Sequence, residues 1–322
     1  MKVAVVGCGH WGKNLVRNFA DLDALSAVSD PNEELARKYA EKHDVEALSY
    51  EAVLVSNCDG VVIAAPAPLH KELAVRAFEA KKHVYVEKPL AMTLAEADEI
   101  IEAGKKADRH LMVGHLLQYH PVFCALREKV EAGDLGRLHY LYSNRLSLGK
   151  IRSEEDVIWS FAPHDLSMIL SLAKDPVHSV LCCGSDILQD GIVDTATIHI
   201  KFKSGLRAHV MCSWLHPVKE QKLVVIGEKA MVVFDDTQDW EKKLAFYHYD
   251  IDMAKIPPLP NKKGVEYIEV ASGEPLKAEC SHLLDVMAGK VILRTDGAEG
   301  WAVLNILTAA SHSLKGKHLV NV

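Results

Sequence analysis

Gly7-Cys8-Gly9-His10-Trp11-Gly12 is a G-x-G-x-x-G run that follows a short apolar segment and opens an amphipathic one. In that setting each glycine has a task. Gly7 permits a tight turn, Gly9 lets the backbone approach a pyrophosphate, and Gly12 permits close packing of helix on strand. The helix that follows offers free N–H groups and its positive dipole end to phosphates. Asp30 stands eighteen positions beyond Gly12, at the end of the next apolar run. There it can accept both hydroxyls of a ribose, and its charge repels a 2′-phosphate, which favours NAD over NADP. Asp30-Pro31-Asn32-Glu33 also reads as a helix start, with Asp30 as N-cap, Pro31 at the first helical position and Glu33 closing a capping box. The two roles are compatible, since one carboxylate oxygen can cap while the other binds ribose.

Reactive groups are expected at the carboxyl ends of the parallel strands, where doubly wound sheets bind ligands. Ala65-Pro66-Ala67-Pro68-Leu69-His70 leaves one such strand and Glu87-Lys88-Pro89 leaves the next. A lysine whose turn is fixed by proline can reach a substrate hydroxyl above a nicotinamide; spacing alone reads it equally well as a surface lysine. His115, Gln118, Tyr119 and His120 can line the same cleft. Further on, Asn144-Arg145-Leu146-Ser147-Leu148-Gly149-Lys150-Ile151-Arg152 carries three cations within eight residues. Arg offers a fork matched to phosphate oxygens and Lys a point charge; the alternative is a solvated loop. Seventeen histidines raise the question of a metal, but no H-E-x-x-H or comparable spacing exists, so no metal site is expected.

These groups need a scaffold. Apolar runs over 2–6, 24–29, 60–65, 83–87 and 110–114 read as strands, and helix-like segments follow all but the last. Leu15, Val16 and Phe19 fall at helical spacing, and Thr93 with Glu96 forms a capping-box start. Such alternation predicts a parallel sheet with right-handed crossovers. After Gly114 the rhythm changes. Helix-like stretches over 121–131 and 163–173 accompany strand-like runs over 138–143, 179–188, 193–202, 206–215 and 222–226, a mostly antiparallel sheet. Lys203-Ser204-Gly205 reads as a hairpin turn, Pro257-Pro258-Leu259-Pro260 as loop, and 276–288 and 299–314 as closing helices. The fold class is therefore α/β, a Rossmann domain over 1–118 followed by an α/β domain with a large open sheet over 119–322.

Composition limits the partners. The chain has 322 residues, 49% hydrophobic and 25% charged, with a formal net charge of −7, and its mean hydropathy is +0.01. Without a basic block, nucleic acid is not expected as a partner. No apolar run approaches the about 20 residues that span a bilayer. The opening run Val3 to Val6 stops at Gly7, without the core of a signal peptide, so a cytoplasmic location is expected. Seven cysteines with no C-x-x-C pair indicate reduced thiols rather than a disulfide framework.

The glycine fingerprint, the proline turn ending at His70, Val86-Glu87-Lys88-Pro89-Leu90 and Pro163-His164-Asp165 together resemble the glucose-fructose oxidoreductase / inositol dehydrogenase / MocA family. Pro275-Leu276 through His282 and Thr295-Asp296-Gly297 extend the resemblance over nearly the whole chain. It implies an NAD-dependent sugar dehydrogenase that assembles as a dimer or tetramer through the second sheet. It implies cofactor contacts from Gly7, Gly9, His10, Trp11, Gly12, Asp30, Pro66, His70, Glu87 and Lys88. Lys88 and His164 would face the reacting carbon, His164 as the base and Lys88 stabilising the alkoxide. Many members carry Asp four residues before this histidine; here the position is Ser160. The segments over 144–152 and 159–165 look like the branch acting on UDP-N-acetylated sugars, whose 3-hydroxyl becomes a ketone for a following aminotransferase. Substrate contacts are then expected from His115, Tyr119, Asn144, Arg145, Lys150, Arg152 and His164. Other readings are a dehydrogenase of free sugars or inositols, and a cofactor-sensing regulator on the same scaffold.

Overall fold

A computed structural model describes residues 1–322, which divide into two compact units. The first begins with β1 (Val3–Val6), α1 (Gly12–Asp21), β2 (Leu25–Ser29), α2 (Glu33–His43), β3 (Glu46–Ala47) and α3 (Tyr50–Val55). It continues through β4 (Gly60–Ile63), α4 (His70–Glu79), β5 (His83–Glu87), α5 (Leu94–Ala107) and β6 (Leu111–Gly114). The six strands are parallel in the order β3-β2-β1-β4-β5-β6. Strand order thus reverses between β1 and β4, and the carboxyl ends of these two strands are the ligand position in doubly wound sheets. All four residues of β1 and of β4 are buried, as both-sided covering of a parallel sheet requires. At α5, Thr93 accepts from Glu96 N while the Glu96 carboxylate accepts from Thr93 N, each at 3.2 Å, the reciprocal box read from the sequence.

The second unit contains α6 (Pro121–Glu131), β7 (Leu138–Leu146), α7 (Val157–Ala173), β8 (Val177–Ser185), β9 (Thr195–Phe202) and β10 (Arg207–Ser213). β11 (Glu220–Gly227), β12 (Ala230–Asp235), β13 (Leu244–Asp252) and β14 (Leu259–Tyr267) follow. The chain closes with α8 (Pro275–Met287), α9 (Gly297–Gly316) and β15 (Val320–Asn321). The nine strands run in the order β14-β13-β12-β11-β7-β10-β9-β8-β15, antiparallel except for β10 on β7. Strand alternation puts Leu141, Ile198, Val210 and Val225 on the face covered by α7 and buries them completely. Gly205, at φ +95°, closes the β9–β10 hairpin. No helix is long and apolar enough to cross a membrane.

Three features depart from the sequence reading. α7 starts at Val157, six residues before Pro163, because Asp156 caps it by accepting from Ile158 N and Trp159 N at 3.0 and 3.1 Å. β12, β13 and β14 extend the sheet; β14 contains Pro260 and is exposed throughout, as an edge strand can be. The division at residue 118 also changes. The segment 273–304 belongs to the first unit, while 120–272 and 305–322 form the second. The cause is α8, whose Leu276, Cys280, Leu283 and Met287 are buried in one core with Leu15 and Phe19 of α1 and with Tyr119. The helix lies where the sequence places it, but its apolar stripe closes the first unit.

Candidate active site

The glycine loop is shaped by three different requirements. Gly7 has φ +95°, and a Cβ there would lie 2.7 Å from the Ala64 carbonyl carbon and oxygen. At Gly12 a Cβ would lie 1.9 Å from the Gly7 carbonyl oxygen, so α1 can leave the loop only without a side chain. A Cβ on Gly9, by contrast, meets nothing within 4 Å. Gly9 is exposed, and packing inside the protein does not explain it. The first turn of α1 has no side-chain cap and no acidic residue, which leaves its N–H groups available to an anion. His10 and Trp11 are exposed beside it.

Asp30 ends β2, and its two oxygens accept from Cys8 N at 2.7 Å and Asn32 N at 2.9 Å. The N-cap of α2 is Asn32, which accepts from Leu35 N at 3.1 Å. The helix-cap reading of Asp30 is therefore corrected by two residues. Its carboxylate ties the glycine loop to β2 and keeps a lone pair on each oxygen for hydroxyl donors. These features fit a dinucleotide.

Around Lys88 the strands supply a second set of ties. The Trp11 indole donates to Glu87 Oε1 at 2.6 Å, and the Tyr85 hydroxyl donates to the same oxygen at 2.9 Å. Burial raises the Glu87 carboxyl above the usual range, and the Trp11 and Tyr85 bonds oppose that rise. Glu87 is thus a buried link between loop and turn rather than an exposed cofactor contact. His70 departs further from expectation: it is 1% exposed, with both ring nitrogens against backbone carbonyls. Pro66, one turn earlier, is exposed at the end of β4.

The expected substrate contacts scatter. His115 is 2% exposed, and its Nδ1 lies 2.5 Å from Glu299. Tyr119 is buried with its hydroxyl 2.9 Å from Thr295 Oγ1, and the Arg294 guanidinium lies over its ring. His120 is buried in the second unit, where it caps α6 by accepting from Val122 N at 3.2 Å and faces Asp236 at 3.3 Å. Asn144 and Arg145 are consecutive on β7 and so point to opposite faces of the sheet. Asn144 bonds Glu220 at 3.0 Å, whereas Arg145 is buried and forks onto Asp165 at 2.5 and 3.2 Å. Arg152 pairs with Glu155 at 2.9 Å, and Lys150 is exposed. The three cations therefore do not form one phosphate grip. The charge of Arg145 is consumed inside the fold, where Asp165 also takes the Ser143 hydroxyl.

His164 lies half-buried on α7 in the second unit, and Ser160 lies one turn earlier on the same helical face. Asp165, next in sequence, points the other way, into the Arg145 pair. No group of three metal-ligating side chains comes together anywhere in the chain.

One buried acid was not singled out from the sequence. Glu279 of α8 is fully buried in the first unit, and burial, then the charge of Glu87, push its carboxyl well above the usual range. Its signal was available: Leu276, Glu279, Cys280, Leu283 and Val286 fall on one helical stripe, with a single acid among apolar residues.

A glycine loop that leaves the first turn of α1 uncapped, an acid at the end of the second strand and a lysine turn tied on both sides are the marks of a dinucleotide-dependent oxidoreductase. Comparison with known proteins gives the family. Residues 1–115 match the model described as "Oxidoreductase family, NAD-binding Rossmann fold", and 123–233 match the GFO/IDH/MocA C-terminal domain. The chain belongs to the GFO/IDH/MocA family of oxidoreductases. The UDP-N-acetylglucosamine 3-dehydrogenase of Acidithiobacillus ferrooxidans is 29% identical over 94% of both chains. Its solved structure superposes with a TM-score of 0.88, covering 98% of each chain at 27% identity. The myo-inositol 2-dehydrogenase of Thermotoga maritima is 31% identical over 74% of this chain and 76% of its own. A gentamicin A biosynthesis protein solved with NAD shares the fold, with a TM-score of 0.84 at 20% identity over 100% of this chain and 96% of its own.

Gly9→Ala should melt within about 2 °C of the parent yet bind NADH roughly tenfold or more weakly, because only an incoming ligand meets the new methyl. Gly12→Ala should lose both stability and binding; calorimetry with fluorescence titration separates the two. For Glu279, the folded chain keeps a proton that the unfolded chain releases above its ordinary value of 4.5. Stability from this group is full below that value and falls as pH rises toward the raised folded value. Glu279→Gln should therefore melt about 2–4 °C above the parent at pH 8, with the gap closing near pH 4.

Proposed function

We propose that this protein oxidises the C3 hydroxyl of a UDP-N-acetylated sugar, UDP-N-acetylglucosamine or its uronic acid, to the 3-keto sugar with NAD. The supporting observation is the end-to-end likeness, in sequence and in fold, to the Acidithiobacillus ferrooxidans 3-dehydrogenase. Bound NAD would supply the hydride acceptor. The residues of this chain do the rest. Gly9 and the first turn of α1 hold the pyrophosphate, and Asp30 holds the ribose. A neutral His164 takes the hydroxyl proton, and the Lys88 ammonium stabilises the developing alkoxide. Ser160, standing in place of an acid, brings His164 no charge from that position. A 3-keto product is the substrate class of an aminotransferase, which would act next. This reading also includes a cytoplasmic location and self-association through the sheet of the second unit, whose outward face carries Tyr142, His209, Val224 and Tyr247.

A second reading, oxidation of an inositol or free sugar, has its own support. The Thermotoga maritima inositol dehydrogenase is 31% identical, and Arg145 and Arg152 are engaged by Asp165 and Glu155 rather than poised as a diphosphate site.

Following NADH formation with UDP-N-acetylglucosamine, its uronate, glucose and myo-inositol separates the readings. Turnover confined to the unphosphorylated polyols sinks the first. Lys88→Met should lower kcat by roughly 100-fold or more; full activity in that variant would remove Lys88 from the chemistry. Asp30→Ala should weaken NADH binding by about tenfold while leaving NADPH nearly unchanged. Equal loss of both would leave Asp30 with only its loop-tying role.

A further inference from the structure

His70, the first residue of α4, has a ring engaged at both ends. Nδ1 lies 2.8 Å from the Pro89 carbonyl oxygen and Nε2 lies 2.9 Å from the Ala65 carbonyl oxygen. Ala65 belongs to the loop that leaves β4. Pro89 belongs to the turn that leaves β5, the next strand of the sheet, where Val61 pairs with Val84. One imidazole therefore bridges the loops that leave two neighbouring strands, at the edge where a doubly wound sheet binds its ligand. Pro89 is also the residue after Lys88. On the other side of Lys88, Glu87 is held by Trp11 of the glycine loop and by Tyr85. The lysine is thus carried between two fixed residues, one tied to the glycine loop and the other to the β4 loop.

Packing alone does not explain a histidine here. An apolar side chain of similar volume would fill the space without placing two polar nitrogens in the interior, where each needs a partner. What imidazole adds is an N–H at one end of a rigid ring, and at both ends when protonated, held between two carbonyls that otherwise lack a common donor. The groups against the ring are the main chain of Ala65, Pro89 and Leu90. We propose that His70 is a positioning residue for Lys88, setting where the lysine ammonium is presented by tying the Lys88-Pro89 turn to the loop after β4. The proposal rests on the reading of Lys88 as part of the chemistry, and the experiment keeps the two apart.

The full-length protein is reductively methylated with 13C, and the Lys88 dimethylamine resonance is identified by its loss in Lys88→Arg. In His70→Ala and His70→Gln this resonance should move, with its titration midpoint displaced by about half a pH unit or more. In the same variants kcat with UDP-N-acetylglucosamine or myo-inositol should fall roughly tenfold, while KM for NAD changes less than about threefold. The glutamine variant, whose amide can still donate to one carbonyl, should recover part of the alanine loss; it also carries the test if the alanine variant does not fold. An unmoved Lys88 resonance in a folded His70 variant overturns the positioning role, as does a loss confined to KM for NAD. Full turnover in Lys88→Met would instead overturn the role of Lys88, and the resonance would still decide whether His70 sets its place.

Discussion

One carboxylate oxygen, Oε1 of Glu87, receives the Trp11 indole and the Tyr85 hydroxyl together, and the geometry of the first unit's ligand edge depends on it. Trp11 belongs to the glycine loop and Tyr85 to the interior of β5, so the loop expected to hold phosphates and the turn that carries Lys88 are fixed to the same atom. Hydrogen bonds to a buried carboxylate are charge-assisted and strong. These donors offset part of the cost of burying Glu87. Asp30 repeats the device on the other side of the loop, accepting from Cys8 N and Asn32 N. The glycine loop is therefore held by two acids, one at the end of β2 and one at the end of β5.

Most of the architecture was legible in the sequence, for identifiable reasons. The strands of the parallel sheet are short apolar runs, and the helices between them carry caps such as Thr93 with Glu96 that fix their starts. α6 and the Gly205 hairpin were readable from Pro121 at a helix start and a turn glycine. β13 and β14 were not, because much of their surface faces solvent and no alternation marks them. Pro163 looks like a helix start in the sequence, but the Asp156 cap begins α7 six residues earlier.

The candidate site was legible where chemistry is local and illegible where it depends on pairing. Gly7, Gly9, Gly12 and Asp30 act through backbone shape at adjacent positions, so spacing reveals them. His70 and Arg145 look identical in sequence to ligand-binding residues, yet their polar groups face Ala65, Pro89 and Asp165, which only folding brings near. A charge count along 145–152 sees three cations; the fold neutralises Arg145 with an acid twenty residues away and Arg152 with one three residues away. Glu279 shows the converse, an acid raised first by its burial and then by the charge of Glu87, nearly two hundred residues before it.

The return of α8 to the nucleotide-binding unit has a consequence for synthesis. During translation the first 119 residues emerge with Leu15, Phe19 and Tyr119 lacking the cover that Leu276, Cys280 and Leu283 later provide. That apolar surface stays open while the whole nine-stranded sheet, apart from β15, is being made, and only then does the last part of the core arrive. The nascent chain therefore carries an unfinished first unit for as long as residues 120–272 are being made, a state in which exposed apolar surface invites chaperones or aggregation.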